Sequence, residues 1–122
     1  MSQTPLVSNA VNEQDQELID RATAIIRKYF DDIDFDMNVL ASELGIGRSK
    51  LYLRIKEITG LTPNELTLKI KLEEAMYLLN NQPNLNISEI SYQLGFSSPR
   101  YFSKCFKSFY GVSPQNCRKG VN

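Results

Sequence analysis

The chain contains no histidine and no tryptophan, only two cysteines, and no net charge, with 14 basic and 14 acidic side chains in 122 residues. Without histidine there is no Ser–His or Cys–His pair to activate a nucleophile, and the commonest metal ligand is missing. Ser49 and Ser103 have no base to serve them as nucleophiles, and no glycine-rich loop of the phosphate-cradling kind is present. Cys105 and Cys117 are too few for a disulfide framework. Cys105 lies among apolar residues of a helical pattern and is expected as a buried, reduced thiol. No apolar run approaches the roughly 18 residues a membrane span needs. The start, Met1-Ser-Gln-Thr-Pro-Leu-Val-Ser8, has neither the basic end nor the apolar core of a secretion signal. These shortages argue against an enzyme, a cofactor, a metal site and membrane contact by this segment, and the expected location is cytoplasmic.

Carboxylates are also missing from one end of the chain: none follows Glu89. Residues 1–44 carry 3 basic and 9 acidic side chains, residues 45–82 carry 6 and 4, and residues 83–122 carry 5 and 1. A neutral total thus hides an acidic first third and a basic remainder. Clustered charge, not total charge, attracts phosphates. A solvated basic face has the same composition, so charge alone leaves both readings open.

What is present is a repeat. Asp36, Leu40, Leu44 and Gly45 recur as Asn86, Ile90, Leu94 and Gly95 at an offset of 50. Leu51, Ile55, Gly60, Thr62 and Pro63 recur as Phe102, Phe106, Gly111, Ser113 and Pro114 at an offset of 51. One extra residue between Gly95 and Phe102 explains the change, and one structural unit is used twice. In the first copy Asp36 is a natural N-cap, with Phe35 and Leu40 placed as a hydrophobic staple. Gly45 closes the short helix, and a second runs from about Arg48 to Thr59. In the second copy Asn86 and Glu89 form a capping box, with Leu85 and Ile90 as the staple and Gly95 at the turn. Two helices joined by a glycine turn match a helix-turn-helix; one such unit alone reads equally as an ordinary αα-hairpin, but two matched copies favour the former.

The remaining segments hold the copies. Residues 1–12 lack periodicity and read as a tail or linker, with 13–122 as the folded domain. Leu18, Ile19, Ala22, Ile25, Ile26, Tyr29 and Phe30 predict a first helix ending at Phe30. Thr62, Pro63 and Glu65 open a long helix to about Asn80, about 27 Å at the usual rise. That length suits a connector between heads reading DNA about one turn, roughly 34 Å, apart. A last short helix is expected at about 114–119. The fold class expected is all-α: seven helices forming two helix-turn-helix subdomains, about 36–59 and 86–110, joined by the connecting helix at 63–80, a homeodomain-like tandem.

The Gly60-Leu-Thr-Pro63 and Gly111-Val-Ser-Pro114 openings, Ile90-Ser-Tyr-Gln-Leu-Gly-Phe96 and Tyr101-Phe-Ser-Lys-Cys-Phe-Lys107 carry a resemblance. Over about residues 34–119 the chain resembles the DNA-binding domain of the AraC/XylS transcriptional regulators. Leu51 to Glu65 looks closest to the C-terminal output domains of hybrid two-component regulators. The resemblance implies sequence-specific binding of double-stranded DNA, with two recognition helices in successive major-groove faces. It also implies a fragment of a longer regulator, with RNA polymerase and a separate sensory, receiver or dimerisation region as further partners. A hybrid sensor could be membrane-anchored elsewhere in its chain. Three departures from the family pattern stand out, one being Asn116-Cys117-Arg118 near the C-terminus, which replaces a more usual acidic–tyrosine–arginine pattern and is expected to loosen the last helix. Ser91 occupies a position usually alanine, where its hydroxyl can bond a carbonyl one turn back, and Leu53 one where arginine or lysine is frequent.

With Leu51, Ile55 and Ile58 facing inward, the first recognition helix turns Arg48, Ser49, Tyr52, Leu53 and Lys56 outward. Ser49, Tyr52 and Leu53 fall on the family's base-reading positions; Tyr52 reads equally as a half-buried surface aromatic. With Phe102 and Phe106 inward, the second helix presents Arg100, Ser103, Lys104 and Lys107. Arg100 and Lys104 can bond guanine O6 and N7 or hold phosphate. Arg48, Lys50, Lys56 and Lys107 are the expected phosphate contacts, and Tyr101 and Tyr110 are expected in core or edge packing.

Overall fold

The computed structural model describes residues 12–120 and contains seven α-helices and no strand among them. They are α1 (Glu13–Lys28), α2 (Met37–Leu44), α3 (Arg48–Thr59), α4 (Pro63–Asn81), α5 (Ile87–Gln93), α6 (Pro99–Tyr110) and α7 (Pro114–Lys119). Residues 1–11 of the expected tail lie outside the described residues, whereas Asn12 is structured as the N-cap of α1. The seven-helix tandem is the architecture expected; α1 stops at Lys28, two residues short of Phe30. The helices form two compact units, one built from the chain up to Tyr29 and Phe35–Leu68, the other from Phe30–Asp34 and the chain from Lys69 onward.

In the first unit α1 packs on α2 and α2 on α3. Its core is aliphatic: Ile19, Ala22 and Ile26 of α1, Leu40 and Leu44 of α2, and Leu51, Ile55 and Ile58 of α3 are buried. Asp36 caps α2 by accepting from the backbone N–H groups of Asn38 and Val39. At the other end Gly45 adopts φ 72°, and two bonds close the turn: Gly45 N–H to the Ser42 carbonyl and Ile46 N–H to the Ala41 carbonyl, both 3.1 Å. That is the Schellman arrangement, which needs a left-handed residue where glycine stands.

The second unit repeats this closure. Gly95 adopts φ 76°, its N–H bonds the Tyr92 carbonyl and the Phe96 N–H bonds the Ser91 carbonyl, again at 3.1 Å. The capping box at Asn86 and Glu89 is formed in both directions. The single extra residue lies in the next turn. Gly47 precedes α3 without a side-chain cap, whereas Ser98 caps α6 by accepting from Tyr101 N–H and Pro99 takes the first helical position. To an aliphatic core of Leu72, Leu79, Ile90 and Leu94 this unit adds a row of rings, with Phe96, Phe102, Phe106 and Tyr110 in tilted succession at 5.1, 5.8 and 4.7 Å between ring centres.

Helices α3 and α6 end alike. Gly60 and Gly111 have φ of 78° and 79°, and each donates its N–H to the carbonyl four residues back. Thr62 and Ser113 then cap the following helix, with buried Pro63 and Pro114 behind them. The Glu65 carboxylate closes a second capping box on Thr62 N–H, and that bond holds its pKa below the ordinary value. Arg118 secures α7 by donating to the carbonyls of Leu79, Gln82 and Leu85, the last at 2.5 Å. Those carbonyls end α4 and its turn, which have no further helix to bond.

Three expectations fail, the first being a loosened last helix, which Arg118 instead secures. Cys105 is only partly buried. The Ser91 hydroxyl is fully buried with no hydrogen-bond partner, so the carbonyl bond expected of it is absent. Its own backbone carbonyl is engaged by Phe96 in the turn, but the side chain is left desolvated.

Ser91→Ala is therefore expected to raise stability by roughly 1 kcal/mol, because an unsatisfied buried hydroxyl is removed at little loss of packing. A urea midpoint that falls would contradict this account. The two turn glycines should also respond differently. A Cβ at Gly45 meets nothing within 4 Å, whereas one at Gly95 comes within 2.3 Å of the Phe30 carbonyl oxygen and 3.3 Å of Lys71 Nζ. Gly45→Ala should cost about 1–2 kcal/mol, the left-handed strain alone. Gly95→Ala should cost at least about twice that, and equal losses in the two variants would refute the close approach of Phe30.

Candidate nucleic-acid interface

The candidate interface consists of two faces, one in each unit. On α3, burial of Leu51, Ile55 and Ile58 directs Arg48, Ser49, Lys50, Tyr52, Leu53 and Lys56 to solvent. Leu53 is 60% exposed and Tyr52 43%. They are neighbours in sequence and turn apolar surface to solvent side by side. On α6, Phe102 and Phe106 are buried while Arg100, Lys104 and Lys107 are exposed, and Ser103 is intermediate. Every residue singled out in the sequence thus reaches the surface. Tyr110 donates its hydroxyl to the Leu72 carbonyl, and desolvation raises its pKa. Tyr101, expected in packing, is half exposed and leans on Phe96 at 6.0 Å.

Electrostatically the two faces are simple. Among the described residues, no carboxylate lies within ion-pair distance of Arg48, Lys50, Lys56, Arg100, Lys104 or Lys107. Other cations are engaged elsewhere: Lys28 with Glu43 at 3.8 Å and Lys69 with Glu73 at 3.0 Å. Lys69 also lies over the Phe109 ring and Lys71 over the Phe96 ring. Burial of Lys71 pushes its pKa down, in keeping with a residue turned into the fold.

Arg54 is the residue that sequence reasoning missed. It lies on α3 but serves the scaffold, with one guanidinium nitrogen on Asp15 of α1 and another on Glu57 at 2.6 Å. Asp15 is well covered, its side chain 13% exposed, so this pair ties the first turn of α1 to the middle of α3. Arg54 also neutralises the one carboxylate on α3, Glu57. The charge signal existed in the sequence, but Asp15 lies 39 residues away and nothing local points to it. No cluster able to hold a metal ion occurs among the described residues, and no described helix is long and apolar enough to cross a membrane.

Two short helices per unit, a Schellman turn between them and a cationic outer face define the class: a tandem helix-turn-helix domain. A family model described as a helix-turn-helix domain matches residues 40–120. A histidine kinase of Formosa agariphila is 39% identical over 85% of this chain, which spans 8% of that protein. The Msm operon regulatory protein of Streptococcus mutans is 40% identical over 70% of this chain, which spans 30% of it. The C-terminal domain of AraT, a response regulator from Geobacillus stearothermophilus, is similar in structure, with a TM-score of 0.76, 33% identity and 84% of each chain covered. The chain belongs to the AraC-type helix-turn-helix family of DNA-binding domains found in transcriptional regulators, including the C-terminal domains of two-component response regulators. It spans less than a third of the length of these two curated relatives.

The Arg54 pairs make a quantitative prediction. In double-mutant cycles the Asp15–Arg54 coupling should reach about 1 kcal/mol or more, while Glu57–Arg54, an exposed i,i+3 pair, should give about 0.3–0.5 kcal/mol. The reverse order would show that α1 is not anchored through Arg54.

Proposed function

We propose that this chain binds double-stranded DNA sequence-specifically through α3 and α6, each in a major-groove face of one duplex. In this reading it controls transcription as the output domain of a larger regulator. The observation that supports the reading is the pairing of two buried inner faces with two outer faces whose cations make no ion pair within 4 Å among the described residues. Ser49, Tyr52 and Leu53 on α3 and Arg100, Ser103 and Lys104 on α6 face the bases; Arg48, Lys50, Lys56 and Lys107 hold phosphates. The division follows from position. Lys56 and Lys107 occupy equivalent places one turn beyond the base-facing residues, where a long flexible stem reaches the backbone. In this reading residues 13–122 form the DNA-binding domain and RNA polymerase is a partner of the assembled regulator. The sensory, receiver or dimerisation region lies elsewhere in that regulator.

Fluorescence anisotropy across a salt series, with promoter and random-sequence duplexes, tests this. If four cations hold phosphates, log affinity should fall with log salt at a slope of roughly −3 to −4, and removing one of them should flatten the slope by about one. Arg100→Ala and Lys104→Ala should each lower affinity for the preferred duplex by about 5- to 150-fold. Unchanged affinity in both variants would overturn the assignment of α6.

A further inference from the structure

The internal repeat allows the two outer faces to be compared position by position. Ser49 on α3 corresponds to Arg100 on α6, Tyr52 to Ser103, and Leu53 to Lys104. Only the position of Lys56 and Lys107 keeps its chemistry. The surrounding backbone is alike in both copies, with the same turn bonds and the same glycine-terminated helix. The inner faces do the same work with different side chains, aliphatic in one unit and aromatic in the other. What differs outside is therefore not imposed by packing.

On α3 the most exposed large apolar side chain is Leu53, 60% exposed, beside a tyrosine at 43%. Arg48, Lys50 and Lys56 surround this apolar patch, and the carboxylate of Glu57 is held by Arg54. An apolar patch ringed by unpaired cations is complementary to a polyanion that offers apolar groups in a groove. In duplex DNA the major-groove apolar group is the thymine 5-methyl. Guanine, by contrast, presents only acceptors there, and a leucine over O6 and N7 would desolvate them without replacing a bond. On α6 the matching position is Lys104, with Arg100 one turn before it, and the acceptors of guanine are what these donors satisfy.

Building on the reading of α3 and α6 as recognition helices, we infer that the two copies divide the base code. The α3 face selects thymine by methyl contact through Leu53 and Tyr52, and the α6 face selects guanine through Arg100 and Lys104. The preferred duplex is consequently bipartite, with a thymine-bearing half read by α3 and a guanine-bearing half read by α6. The two halves differ in composition and are not copies of one element, although the protein units are copies of one another.

The test selects duplexes from a pool with a randomised core, using the 122-residue chain. The consensus is then resynthesised with uracil for the enriched thymines, which removes the methyl alone, or with 7-deazaguanine for the enriched guanines, which removes N7. Burial of one methyl contributes about 0.8 kcal/mol, so each uracil at a contacted position should weaken binding about fourfold. Leu53→Ala should respond to uracil less than the wild type, with the remainder due to Tyr52, yet keep the response to 7-deazaguanine, and the Arg100→Ala, Lys104→Ala double variant should keep the uracil response and lose that to 7-deazaguanine. Because Leu53 is exposed and alanine is the best helix former, the variant should keep the wild-type helical circular dichroism. Indifference to uracil, or a uracil effect undiminished in Leu53→Ala, overturns the division. Tight duplex binding without any consensus overturns it too, while leaving phosphate-driven DNA binding intact. Failure to retain any duplex at low salt overturns the recognition-helix reading itself.

Discussion

A helix of twelve residues is marginal in water, because forming its first turn costs more than its few hydrogen bonds return. Both α3 and α6 are of that length. They persist because one face of each is removed from water: Leu51, Ile55 and Ile58 in one unit, Phe102 and Phe106 in the other. Full burial of such a side chain contributes roughly 1.5–3 kcal/mol, enough in sum to decide whether the helix exists. The same burial fixes the rotation of the helix about its axis. Which residues face outward is thus a consequence of which face is needed to fold, and the candidate interface cannot be separated from the core.

The turn between the two helices of each unit sets their relative direction, and it does so with the same pair of bonds in both copies. Around this common device the copies differ in how tightly they are packed. Gly45 stands in open space, while Gly95 lies against the Phe30 carbonyl, in the segment that joins the end of α1 to the second unit. The second copy is closed further by Arg118, which spans three carbonyls with one planar fork, a geometry that a lysine could not reproduce. The Asn116-Cys117-Arg118 stretch therefore anchors α7 through its arginine, and Cys117 adds a contact to the Met76 sulfur at 3.6 Å.

Much of this was legible in the sequence because much of it is local. Caps, glycine turns, proline first positions and the inward stripes all involve partners within about five residues, and the repeat checked each reading against its copy. The partly legible features are those with distant partners. The sequence marks Arg54 as polar and off the core stripe, but not that Asp15 waits 39 residues earlier. Arg118 reads as a basic residue near a helix end, yet its acceptors lie 33 to 39 residues away. Ser91 misled in the opposite direction: a local bond was available to its hydroxyl, but the packed side chain does not make it. Cys105 lies near the edge of the α6 stripe, where a helical wheel cannot say how far a neighbouring element extends, and that neighbour leaves it partly open.

Net charge was the least informative quantity, and the ion pairs explain why. A zero total would suggest indifference to a polyanion if every charge counted equally. Charges cancel by proximity, however, and several carboxylates of the first unit are engaged by scaffold groups. Glu57 and Asp15 share Arg54, and Glu43 receives the Tyr29 hydroxyl at 2.7 Å with Lys28 close by. On α4 Glu73 is paired with Lys69. Past Glu89 the chain has no carboxylate side chain with which α6 could be neutralised. Among the described residues, Arg48, Lys50 and Lys56 on the outer face of α3 and Arg100, Lys104 and Lys107 on that of α6 make no ion pair within 4 Å. A Debye length of about 8 Å at physiological salt keeps such local fields distinct from the acidic residues of more distant segments. Scaffold ion pairs and outer-face cations are in this sense one design: by engaging nearby carboxylates, Arg54 and Lys69 leave the outer faces of α3 and α6 positive in a protein that is neutral as a whole.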